Sequence, residues 1–91
     1  MGKRRVFKAA ALRYEPHKQA APEVTAAGAG ATAEAILALA EEHGVPMFRD
    51  PQLVEQLLNI DINREIPEEL YEAAARVLAF VYQLDQQSSQ T

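Results

Sequence analysis

The sequence predicts an α/β fold, a small mixed sheet of about three strands packed with three helices, and three observations carry that expectation. Val6–Tyr14 is a mostly apolar run whose residues divide between two faces with the period of two of a strand. Ala33–His43 and Leu70–Leu84 instead repeat apolar residues at three- and four-residue spacing, the period of an amphipathic helix. Two shorter runs, Glu23–Ala27 and Val45–Arg49, are bounded by glycine or proline and supply the remaining strands.

Taken in order, Val6–Tyr14 puts Phe7, Ala9, Ala11 and Arg13 on one face and Val6, Lys8, Ala10, Leu12 and Tyr14 on the other. Glu15–Pro22 holds two prolines among polar residues and is a connection of ordinary length. Glu23–Ala27 carries Val24 and Thr25 and stops at Gly28-Ala29-Gly30, a second strand turning into a helix with Thr32 as the expected N-cap. In that helix Ala33, Ile36, Leu37, Leu39 and Ala40 form the stripe, and Gly44 falls where a left-handed cap residue belongs. Pro46 restricts Val45–Arg49 to a strand start or an edge, and a third strand reached through a helix runs parallel to the second. Asp50-Pro51 is an N-cap followed by proline at the first helical position, opening a short helix through Leu53, Val54, Leu57 and Leu58. Asn59–Glu65 is a polar linker in which Ile60 and Ile62 alternate. Pro67, followed by Glu68 and Glu69 where the helix dipole favours acid, opens the third and longest helix, with Leu70, Ala74, Val77, Leu78, Val81 and Leu84 as its stripe. The expected organisation is a basic, flexible start over 1–5, one domain over 6–85 and a disordered polar tail over 86–91.

Composition bounds the function. A chain of 91 residues forms one small domain that buries only about 60% of its unfolded surface, which argues against a large enclosed catalytic cleft. Apolar residues at 48% and charged residues at 24% exclude a low-complexity or disordered chain. With no cysteine, neither a disulfide framework nor a thiolate zinc site is available, which fits a reducing, cytoplasmic setting. No apolar run reaches the roughly 20 residues that cross a bilayer. Charge is unevenly spread: residues 1–18 hold six cations against Glu15, a net of +5, and the remainder holds three cations against twelve acids, −9, for −4 in all. A basic start suits nucleic acid or an acidic surface, and Lys3, Arg4 and Arg5 would carry such binding. No aromatic residue lies among Lys3, Arg4 and Arg5 to stack bases, and the acidic body repels phosphate, so nucleic acid is the weaker reading.

Several constellations invite chemistry and each has a plainer reading. Gly28-Ala29-Gly30-Ala31-Thr32-Ala33 fits G-x-G-x-x-A between a strand and a helix, with Asp50 about 20 residues further on, the pattern of a dinucleotide site for a ligand such as NAD. The alternative is that Gly28 and Gly30 make a tight turn and Asp50 caps the second helix. His17 and His43 stand 26 positions apart, in a loop and in a helix's last turn, a poor metal pair. Glu41-Glu42 and Glu68-Glu69 are neighbours on helices, pointing about 100° apart, so solvated faces explain them better than paired acid and base. Ser88 and Ser89 lie in the tail without a histidine nearby, so no nucleophile is set up, and no metal or cofactor is expected.

Six segments in order carry a resemblance: Ala-Leu-Arg-Tyr-Glu-Pro (11–16), Ala-Pro-Glu-Val (21–24), Glu-His-Gly-Val-Pro (42–46), Asp-Pro-Gln-Leu (50–53), Ile-Pro-Glu-Glu-Leu-Tyr-Glu-Ala (66–73) and Val-Leu-Ala-Phe-Val-Tyr (77–82). Together they resemble the cytoplasmic domain of the FlhB family, the export-apparatus proteins of flagella and type III secretion that switch substrate specificity. The resemblance covers roughly residues 8–85.

In that family a membrane half precedes a cytoplasmic domain that cuts itself between Asn and Pro of an Asn-Pro-Thr-His motif, the Asn side-chain amide attacking its own carbonyl carbon. Aligning on Ala11–Tyr14 puts Arg4, Arg5, Val6 and Phe7 at those four positions. The only asparagines, Asn59 and Asn63, precede Ile60 and Arg64, so this cleavage has no site in the sequence. The resemblance therefore implies a non-cleaving relative of the released C-terminal piece, free-standing or cut from a longer chain, with the membrane half and the strand before the cleavage site outside these residues. It further implies a cytoplasmic location beside the inner-membrane export apparatus. The implied partners are export substrates, the cytoplasmic part of an FlhA-like export gate and the remainder of FlhB. The family's apolar substrate-contacting patch would fall on Ala21, Pro22, Ala75 and Leu78. Ala75 lies off the Leu70, Ala74, Val77, Val81 stripe and is free to face outward beside Leu78. The plainer reading keeps Leu78 in the core and Ala21-Pro22 as a loop end. An extended peptide adding to an open sheet edge is a further expectation.

Overall fold

The computed structural model describes residues 7–88, with side chains through Leu84. Strands β1 (Lys8–Arg13) and β2 (Glu23–Ala29) pair antiparallel, from Lys8 opposite Ala29 to Arg13 opposite Glu23, with a bulge between Ala11 and Leu12. The intervening loop closes on itself: the Lys18 and Gln19 N–H groups both donate to the Glu15 carbonyl at 2.9 Å, and the Gln19 side-chain oxygen accepts from the Glu15 N–H at 2.8 Å. Then follow α1 (Ala31–Glu42), α2 (Pro51–Leu57), a single 3-10 turn at Glu68–Leu70 and α3 (Tyr71–Ser88).

The α/β class stands, with two corrections to the sheet. Val45–Arg49 forms no strand, so the expected third, parallel strand is absent among the described residues, where the sheet has two antiparallel strands. After Gly44 the chain leaves α1 and Phe48 packs edge-on against Phe80 of α3, ring centroids 5.2 Å apart, which holds the run away from β1. The free side of β2 is met instead by the end of the polar linker. The Val24 N–H donates to the Arg64 carbonyl at 3.0 Å, the Ile66 N–H donates to the Pro22 carbonyl at 2.8 Å, and Glu23 bridges Glu65. Asn63 makes this possible by taking φ 70°, a left-handed conformation that asparagine tolerates better than most residues.

The helix ends follow local chemistry. The Asp50 carboxylate accepts from the Leu53 N–H at 3.1 Å, with Pro51 at the first position of α2, as the sequence predicts. Asp50→Ala should therefore cost about 1 kcal/mol of stability, read from urea unfolding, and leave the helical circular dichroism largely intact. Gly44, at φ 67°, closes α1: its N–H reaches the Glu41 carbonyl and the Val45 N–H the Ala40 carbonyl at 2.8 Å, a Schellman closure that favours glycine. Thr32 is not the N-cap. Gly30 takes that position and Thr32 lies within α1. α3 runs to Ser88, while 1–6 and 89–91, which hold the expected basic start and the end of the expected polar tail, lie outside the described residues.

Layering follows from the strand alternation. Ala9 and Ala11 share the face toward α1, where Ala33 is also buried. Ala10, Leu12, Val24 and Ala27 share the other face and pack with Leu53 and Leu57 of α2, Ile66, Leu70 and Ala74. Val24 is fully buried at its centre.

Candidate functional site

Two apolar features lie on the surface, and α3 contributes to both. Along α3 the spacing of four, three and four residues puts Tyr71, Ala75, Leu78 and Tyr82 on one side, about 90° from the Ala74 and Val81 positions. Tyr71 is 45% and Tyr82 52% exposed, Ala75 is exposed and Leu78 half-buried. This is a narrow apolar stripe ended by two amphipathic rings, the side-chain type that contributes most at protein interfaces.

The second feature is a cleft of about 1000 Å³ between β1 and the Val45–Asp50 arm, floored by apolar residues of α1, α2 and α3, with Leu78 and Tyr82 at its α3 side. The volume sits at the upper limit of the roughly 300–1000 Å³ typical of small-molecule sites, and a wall of strand backbone suits a polypeptide better. Lys8 is ion-paired with Glu55 of α2, and Asp50 is committed to its cap. Arg49 has no ion pair among the described residues. Serine, cysteine and histidine are absent from the lining.

The expected patch is divided by the fold. Ala21, 2% exposed, belongs to the core cluster and Pro22 is buried beside it, because the Ile66 N–H bonds to the Pro22 carbonyl and draws the linker over both. Only Ala75 and Leu78 reach the surface, and the two tyrosines complete the stripe. Tyr71 and Tyr82 were legible as the i−4 and i+4 neighbours of Ala75 and Leu78. Of the positions aligned with the cleavage motif, Arg4, Arg5 and Val6 lie outside the described residues. Phe7 precedes β1 with its side chain 57% exposed and its carbonyl accepting the Gly30 N–H at 2.7 Å.

The dinucleotide pattern has structural occupants. A Cβ on Gly28 would lie 2.3 Å from Thr32 Cγ2, so this glycine admits the start of α1 against β2. Asp50 faces a backbone N–H of its own helix. His17 lies in the β1–β2 loop, and His43 lines a shallow apolar hollow with Ile36, Leu39 and Val45.

Among the described residues the chain is thus a small α/β domain with a two-stranded antiparallel sheet, an apolar stripe on α3 and an open cleft beside β1. Residues 8–81 match the FlhB HrpN YscU SpaS family, and the chain belongs to it, corresponding to the C-terminal cytoplasmic domain of these export-apparatus proteins. It is 42% identical over 81 residues to YlqH of Bacillus subtilis, covering 89% of this chain and 87% of that one. It is 46% identical over 77 residues to the flagellar biosynthetic protein FlhB of Yersinia enterocolitica, covering 84% of this chain and only 20% of FlhB. Its fold is similar to the crystal structure of the cytoplasmic domain of FlhB from Shewanella putrefaciens, with a TM-score of 0.80, 34% identity and coverage of 84% of this chain and 64% of that one. The chain thus spans nearly all of YlqH but about a fifth of FlhB. No described helix is long and apolar enough to cross a membrane.

Proposed function

We propose that this protein is a non-catalytic interaction module of the flagellar or type III export system, doing in the cytoplasm what the C-terminal part of FlhB does after cleavage. It binds export substrates or an FlhA-like gate domain, beside the inner-membrane apparatus and in company with the remainder of FlhB, and it does not process itself. The observation that carries this reading is the α3 stripe, four residues that the core does not need, on a chain of this family. Ala75 and Leu78 make the contact, while Ala21 and Pro22 act from beneath by holding the linker that packs near the base of α3. Arg4, Arg5, Val6 and Phe7 stand where the cleavage motif would be and supply no asparagine amide, which supports the non-processing reading.

The test is recovery of export proteins from lysate of a flagellated cell on immobilised protein. Ala75→Asp with Leu78→Asp should cut recovery by about tenfold or more, the usual effect of charging a desolvated contact. Thermal melting must show that the double variant folds. Equal recovery by folded wild type and variant removes the stripe from the function.

A further inference from the structure

We infer that the basic start and the residues it leads into form a site for an acidic phospholipid surface, with Lys3, Arg4, Arg5 and Arg49 meeting the headgroups and Phe7 and Met47 the outer acyl region. The inference stands apart from the export reading, since it uses neither the α3 stripe nor an export protein. Its first ground is where cations are left over. Among the described residues Lys8 is paired with Glu55, Arg13 with Glu15 and Glu23, Lys18 with Glu15 and Arg64 with Asp61, which leaves Arg49 and Arg76 without an ion pair there. Lys3, Arg4 and Arg5 have no acid nearer in sequence than Glu15, and Arg5 stands two residues from Phe7, at most about 7 Å of chain. The fold brings Arg49 to the same end. Lys8 reaches Glu55 of α2, so that helix lies against the start of β1, and Arg49 precedes the helix by two residues. Lys3, Arg4 and Arg5 by sequence, and Lys8 and Arg49 by structure, make five cations at this end against three acids, Glu34 in the first turn of α1, Asp50 and Glu55. On a chain with a net charge of −4, positive potential is thus confined to one end and orients the molecule toward an acidic surface.

The second ground is what stands exposed beside those cations. Phe7 is 57% and Met47 53% exposed, and both lie at the mouth of the same cleft as Lys8 and Arg49. Phe7 does not trail free of the domain, because its carbonyl accepts the Gly30 N–H at 2.7 Å and fixes the backbone that carries the ring. Cations next to an exposed ring and an exposed thioether are the make-up of an interfacial contact, in which charge meets the headgroups and apolar side chains enter the acyl boundary. Nucleic acid fits less well, since no ring lies among the three leading cations to stack on a base and Met47 has nothing to offer a phosphate. Each cation near an acidic leaflet strengthens binding about fivefold, so the four named give several hundredfold, a reversible attachment and not a permanent anchor.

The test is co-sedimentation of the 91-residue protein with phosphatidylcholine vesicles carrying about 30% phosphatidylglycerol, against vesicles of phosphatidylcholine alone. Binding should be about tenfold or more tighter to the acidic vesicles, and should fall about tenfold or more when salt rises from about 0.05 M to about 0.5 M. Lys3→Gln with Arg4→Gln and Arg5→Gln should weaken it about a hundredfold. Lys18→Gln with Arg64→Gln and Arg76→Gln removes the same charge from exposed positions elsewhere and should weaken it by less than about threefold. Equal losses in the two triple variants would mean that net charge alone acts, which overturns the site. Phe7→Trp gives the chain its only tryptophan, whose emission should shift to the blue on acidic vesicles, while Leu39→Trp, at a side chain 56% exposed on α1, should stay unshifted. Equal binding to both kinds of vesicle, or an unshifted Phe7→Trp emission, overturns the inference. So does binding to a DNA duplex of about 20 base pairs without binding to acidic vesicles, which would make nucleic acid the ligand. No export protein enters this assay, so its failure and the failure of the lysate test are separate results.

Discussion

Leu57→Ala should lower the unfolding free energy by about 2–5 kcal/mol, the usual cost of deleting a buried leucine side chain that the surroundings cannot refill. Leu57 is 3% exposed, on a helix of seven residues with few internal bonds, and it meets Val24 and Leu70 in one cluster. A domain of this length commands roughly 5–14 kcal/mol in all, so the change takes a large share. Each kcal/mol shifts Tm by about 4–8 °C at this size, and calorimetry should record a fall of roughly 10 °C or more. Leu58→Ala, one residue on and only half-buried, is the control and should cost visibly less. Equal losses at both positions would show that the core is not centred where the burial places it.

Gly28→Val should be the second severe change, for the opposite reason. The site has no spare room: the first added carbon already lies 2.3 Å from Thr32 Cγ2 and 2.7 Å from Thr32 Cβ. Overpacking of this kind costs about 1–3 kcal/mol, and a branched side chain falls at the upper end. Thr32→Ala in the same chain should restore part of the loss, because it removes the nearer atom and leaves the Cβ. Urea unfolding of the single and double variants measures that coupling, and additive losses would mean that the contact between strand and helix is not the cause. A restored double variant that still binds no dinucleotide fits a glycine kept for packing.

Much of the fold was legible because its signals are local. Asp50-Pro51 and Gly44 mark helix ends through bonds made within a few residues, and the three-and-four spacing of α3 depends only on its own geometry. Val45–Arg49 misled for the same reason. Its composition is that of a strand, yet a strand exists only when another backbone lies at hydrogen-bonding distance, and Phe48 is drawn to Phe80 instead. The linker Asn59–Glu65 has the weaker strand composition but gains the partner, β2. At the candidate site, the residues of the stripe could be counted along α3, whereas the burial of Ala21 and Pro22 depends on a segment more than 40 positions away in sequence.

The sequence by itself determined which segments are helical, where α1 stops and α2 starts, how β1 divides its side chains between two faces, and that neither asparagine is followed by proline. Only the tertiary structure decided which extended segments pair, that β1 keeps an open edge beside an apolar cleft, and that half of the expected patch is core. The division is physical. Capping and periodicity are fixed by neighbours in the chain, while strand pairing and exposure depend on contacts between distant segments that compete for the same surface.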